Sequence, residues 1–150
     1  MKRYVLLLAL GLVPFCVGFI GDLLIRILPV GGVLALLISL ILLILWGYLA
    51  FRFSDDKRNA VLQALSLSAV GILMFVLILA QELSLGHYWL NIIGYASQIF
   101  FLPVLTVASG IVFSFSKSAS MVPVYSVAIC LMIAAALIGC LVKRKRNNRC

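Results

Sequence analysis

Five long uncharged runs, at positions 4–21, 27–51, 59–81, 83–116 and 118–142, occupy nearly all of this 150-residue chain. Each is near or above the roughly 18 apolar residues that mark a segment able to cross a bilayer. Hydrophobic residues make up 65% of the sequence and the mean hydropathy is +1.27, against an apolar share of roughly 45–50% in soluble domains. A soluble core cannot bury that surplus. The segment 34–45 is apolar on every face, which excludes a membrane β-barrel, whose strands alternate lipid-facing and lumen-facing residues.

The expected fold is therefore all-α, an integral membrane bundle of five hydrophobic helices at about 4–27, 30–51, 60–80, 91–115 and 121–142, followed by a basic tail at 143–150. Five such helices use most of the chain, so a single transmembrane domain is expected, with short connections and no extramembrane domain. The first run follows Met1-Lys2-Arg3 but has a poor cleavage site, its best small-residue offer being Cys16-Val17-Gly18, so it reads as an uncleaved helix kinked at Pro14. Asp22 and Arg26, four residues apart, share a helical face and neutralise each other at the membrane boundary. Trp46 and Tyr48 read as interfacial aromatics near the end of the second helix. Ser54, before Asp55 and Asp56, offers an N-cap for the third, whose Ala60, Ala64, Ser68 and Gly71 form a close-packing side. Ala135 and Gly139 offer a similar pair in the fifth.

The net charge of +8 comes from twelve basic against four acidic residues. Lys143, Arg144, Lys145, Arg146 and Arg149 directly follow an apolar run, where basic side chains anchor a helix and meet anionic lipid headgroups, so no nucleic-acid partner is expected. Cys16, Cys130 and Cys140 sit inside apolar runs and read as small buried hydrophobes; no cysteine or histidine spacing suggests a metal. Neither a phosphate-binding nor a dinucleotide-binding nor a nucleophile motif occurs, and no cofactor is expected.

The polar positions that stand out are Asp22, Arg26, Glu82, His87 and Gln98. Glu82 and His87 fall in the aromatic connection 81–91 and read as water-facing, with an acid/base pair as the functional alternative. Gln98 lies in the fourth run with Tyr95, Ser97, Thr106 and Ser109, where polar side chains bond neighbouring helices or line a cavity.

Charge counting sharpens the topology. If all five runs cross, Lys2, Arg3, Arg52, Lys57, Arg58 and Lys117 lie on one side and Arg26 with the five tail residues on the other, six against six. The positive-inside rule then predicts no orientation. If instead 91–115 is re-entrant or interfacial, turning at Pro103, four spans remain and the N-terminus, the 52–58 knot and the tail share one side, ten basic residues against Arg26 and Lys117. Insertion in both orientations is a third arrangement that fits the even count.

The chain thus reads as a non-enzymatic multi-pass protein of a cell membrane, expected to be a bacterial plasma membrane, with the bilayer as its first partner. An accessory, regulatory or immunity-type protein that packs against a partner membrane protein or a further copy of itself is expected. The alternative is a small transporter or channel subunit acting as an oligomer, for which only the region of Gln98 to Gly110 offers suitable elements.

Overall fold

The computed structural model describes residues 2–27, 32–55, 58–85, 92–115 and 121–147. All five apolar runs are helical: α1 (Lys2–Leu10), α2 (Val13–Ile27), α3 (Gly32–Phe53), α4 (Ala60–Leu67), α5 (Ala69–Leu85), α6 (Ile92–Phe115) and α7 (Val122–Asn147). Helix is the form such runs must take where no water can satisfy the backbone, because each amide bonds within its own segment. Among the described residues four helical stretches are long and apolar enough to cross a membrane: Val5–Leu24, Gly32–Phe53, Gly94–Phe115 and Val122–Asn147. The bent pair Ala60–Leu67 and Ala69–Leu83 makes a fifth.

The first run breaks at Gly11 and Leu12, just before Pro14, not at the proline itself. Pro14 occupies the first turn of α2, where its missing N–H has no helical partner to lose. Pro123 plays the same part in the first turn of α7.

The third run is sharply bent. Its two helices meet at 59° around Ser68, whose backbone leaves the helical region at φ −87° and ψ 3°. Ala60, Ala64, Ser68 and Gly71 are all buried, as their small size and spacing predict. The N-cap of α4 is Asn59, whose side chain accepts from Val61 N at 2.9 Å, and not Ser54. Ser54 precedes the connection and is too early to reach the first free amides of that helix.

The fourth run does not turn back at Pro103. It is one helix of 24 residues, with Pro103 buried inside it among Phe100, Phe101 and Val104. Packing on both sides of the proline holds the axis, and a single missing amide is tolerated in such a helix.

α3 and α7 run parallel. Gly47 approaches the carbonyl of Ala135, Gly139 approaches Gly47 and Phe51, and the guanidinium of Arg146 lies 4.8 Å from the centre of the Phe51 ring. Residue numbers rise together along both helices, and any Cβ at Gly139 would strike the backbone of α3, which is why glycine stands there. α1 packs along α4 with Gly11 beside Leu67 at the far end of α4, so the start of α1 lies toward the start of α4. The first residues of the chain, the connection after α3 and the end of α7 therefore share one end of the bundle, called here the basic end.

α6 packs against the other halves of its neighbours: Ile99 on Gly18, residues 102–106 facing 34–38 of α3, and Ile111 facing 126–134 of α7. The core between them holds Trp46, Leu67, Ile78, Phe100, Phe101 and Met132. Trp46 is completely buried and faces the bundle, not the headgroups, whereas Tyr48 is exposed as expected. Cys140 is buried, but Cys16 and Cys130 lie on the outer surface.

Candidate functional site

Tyr95, Gln98, Leu102 and Leu105 recur at intervals of three and four, which puts them on one face of α6. That face meets the last turns of α2 and the first turns of α7. Asp22, Tyr95, Gln98 and Tyr125 converge there around a small polar cavity of about 100 Å³, whose apolar wall is Ile99, Leu102 and Leu105. The Tyr95 hydroxyl donates to Asp22 Oδ2 at 2.9 Å, joining residues 73 positions apart in sequence.

The position of this cavity follows from glycine. Gly18 lets α2 approach the backbone of α6 at Ile99, one helical turn before Asp22, and the two helices run in opposite directions from that contact. Phe15, Phe100, Phe101 and Tyr125 form a chain of edge-on rings beneath it, with centroid separations of 5.2, 5.1 and 5.6 Å. Offset and edge-on pairs of this kind fix ring orientation, so the site has a rigid floor.

Beside the polar cavity, α2 and α3 each pack on α6 and leave an apolar cleft of about 260 Å³ between them. Gly21, Leu24, Leu34, Ala35, Ile38 and Pro103 line it, and Thr106 supplies its one hydroxyl side chain. Leu102 and Leu105 belong to both spaces, so the cleft and the polar cavity adjoin.

Of the residues singled out from sequence, Asp22 and Gln98 are brought together here. Arg26 lies in the last turn of α2, with its side chain outside the described residues. Glu82 belongs to the end of α5, which extends through Leu85, and so sits on a helix and not in the connection. His87 lies outside the described residues. Lys143, Arg144, Lys145 and Arg146 are on the last turns of α7, at the opposite end of the bundle from Asp22; Arg149 lies outside the described residues.

Two polar centres escaped the sequence reading. Tyr125 carries no signal by itself, since only the fold delivers it to Asp22. Gln63 was legible in principle as the one amide in the otherwise apolar 61–80 apart from Ser66 and Ser68. It is 3% exposed, accepts from Asp55 N, and donates to Asp55 O at 2.9 Å, with the carbonyls of Arg58 and Asn59 at 3.4 and 3.5 Å. It thereby ties the α3–α4 connection to α4.

Comparison with protein-family models, with curated proteins and with solved structures finds no match for this chain. The fold defines its class: a bundle of apolar helices of membrane-crossing length.

Proposed function

We propose that the chain is a non-catalytic multi-pass protein of the bacterial plasma membrane that acts by packing against a partner membrane protein, as an accessory, regulatory or immunity-type factor. One observation carries this reading. The outer surface between the parallel α3 and α7 is a shallow apolar groove with Gly47, Ala135 and Gly139 along its floor and Ile44, Tyr48 and Ile138 on its walls. Gly47 and Gly139 let α3 and α7 approach each other closely, and the exposed Ile44, Tyr48 and Ile138 leave an apolar surface on which a further transmembrane helix can pack.

The basic end faces the cytoplasm in this reading. Parallel α3 and α7 mean that the two segments between them make one net crossing. In this reading the bent α4–α5 pair, which starts at the basic end, supplies it, and α6 begins and ends on the other side. Ten basic residues then stand against Arg26 and Lys117, which accords with the positive-inside rule.

The test is recovery of a partner after gentle solubilisation. Ile44→Ala with Ile138→Trp, both on the outward wall, should release that partner without unfolding the bundle. A wild-type chain that purifies alone as a monomer contradicts the reading.

A second reading, a small transporter or channel subunit acting as an oligomer, is favoured by the polar cavity at Asp22 and Gln98. Loss of flux in liposomes on Gln98→Ala, with folding retained, would select it; unchanged flux or no flux in the wild type would reject it.

A further inference from the structure

The geometry points to a binding site for one anionic phospholipid where the groove between α3 and α7 reaches the basic end, with the phosphate at Arg52 and Arg146 and an acyl chain along the groove. The accessory reading seats a partner helix on this groove, and the lipid site goes beyond that reading: it belongs to the chain alone.

Helical spacing carries the groove into the cations. On α3 the outer wall runs through Ile44 and Tyr48, and Arg52 follows at the next interval of four. On α7 it runs through Ile138 and Val142, and Arg146 follows in the same way. Each wall thus ends, one turn beyond Tyr48 or Val142, in an exposed arginine. The two helix ends are close, since Lys143 Nζ donates to the backbone carbonyl of Arg52 at 3.3 Å. An apolar trough that ends in two cations matches an amphiphile with an anionic head.

The head group is chosen by charge and by the setting of Arg146. Its guanidinium carbon lies 4.8 Å from the centre of the Phe51 ring, and Phe51 itself lines the groove. Stacking on a ring fixes the guanidinium plane and leaves its N–H edge open, and that edge matches two phosphate oxygens. Among the described residues no carboxylate pairs with Arg52, Lys145 or Arg146; Asp55, the acid nearest to Arg52 in sequence, lies 3.7 Å from Arg58. The mouth therefore keeps its positive charge for a ligand, and a net anion is favoured over a zwitterion whose ammonium it would repel.

The tail is chosen by the trough. Ile44, Tyr48 and Ile138 are exposed along it, and hydrocarbon covers such a surface in a membrane. A free phosphate has nothing to place there, which selects a lipid as the source of the phosphate.

The full chain is purified in dodecylmaltoside, a neutral detergent, and titrated with phosphatidylglycerol or phosphatidylcholine of the same acyl chains, bound lipid being read by native mass spectrometry. A single saturable equivalent of phosphatidylglycerol is expected, binding roughly tenfold more tightly than phosphatidylcholine and not displaced by inorganic phosphate. That comparison needs no variant. Arg52→Gln and Arg146→Gln should each raise the half-saturating concentration by roughly fivefold, the loss of one basic side chain from an anionic headgroup. Arg144→Gln removes the same charge but lies two residues past Val142, about half a turn round α7 from the groove wall, so it should leave binding unchanged. Equal affinity for the two lipids, displacement by inorganic phosphate, or a loss in Arg144→Gln as large as in Arg146→Gln would overturn the proposal. So would a dimer that takes up no phosphatidylglycerol, which assigns the groove to a second copy, or a retained protein that phosphatidylglycerol cannot displace, which assigns it to a partner helix. A chain that binds the lipid and recovers no partner supports the lipid site and sinks only the accessory reading.

Discussion

Lys143, near the end of α7, donates from Nζ to the backbone carbonyl of Arg52 at 3.3 Å and to that of Ser54, so the two most basic segments of the chain are held together at one end of the bundle. The contact lies 91 positions apart in sequence for the first carbonyl and satisfies the last turn of α3, where carbonyls have no helical partner. A lysine at a helix C-terminus also complements the helix dipole. Two basic knots whose like charges repel are thus joined through backbone oxygen.

Removing the amide of Gln63 should loosen that same end. Gln63→Leu leaves the N–H and C=O of Asp55 without their side-chain partner in a buried setting, at a cost of about 1–3 kcal/mol. The expected outcome is a lower unfolding midpoint in detergent together with faster proteolysis at 55–58; an unchanged midpoint would count against the clasp.

Glycine substitutions should separate into two groups. Gly139→Ala and Gly18→Ala place a methyl against the backbone of α3 and α6 respectively, and backbone yields less than a side chain. Each should destabilise by about 1–3 kcal/mol, the usual cost of overpacking. Gly110, within α6, has nothing within 4 Å of where a Cβ would sit, so Gly110→Ala should be neutral or stabilising by roughly 0.5–1 kcal/mol. Unfolding titrations of the three variants in one detergent check the order.

Trp46→Ala should be among the most damaging single changes, at about 3–5 kcal/mol, because the ring is fully enclosed by the bundle. A belt tryptophan at the headgroups would lose far less. The same denaturant measurement distinguishes the two positions.

The sequence reading and the fold agree where hydrophobicity alone decides and part where direction around a helix decides. Five apolar runs announce their solvent and their helical form without reference to any neighbour. Trp46 looks interfacial because its place along α3 is legible, but α3 is apolar on all sides, so nothing in its pattern tells which face turns inward. Pro103 looks like a turning point because proline removes an amide, yet the buried ring and its packed neighbours keep α6 whole; the bend falls at Ser68, where no proline marks it. Of the site, Asp22 and Gln98 stand out as polar residues in apolar runs. Their meeting depends on Gly18 bringing two distant helices together, and Tyr125 joins them only through the packing of α7.

Neutralising Lys143, Arg144, Lys145 and Arg146 to asparagine should leave the orientation intact. If Lys2, Arg3, Arg52, Lys57, Arg58 and Arg149 are counted with the proposed cytoplasmic side and Arg26 and Lys117 with the other, the bias persists at six against two. A reporter within 55–58 of this variant should keep its wild-type compartment; inversion or a mixed signal would show that the tail alone sets the orientation.

The most direct test is a pair of topology reporters, one inserted within 55–58 and one fused after Cys150. Parallel α3 and α7 with a single net crossing between them predict that both report the cytoplasm. Reporters on opposite sides of the membrane would mean five full crossings and would contradict the shared basic end.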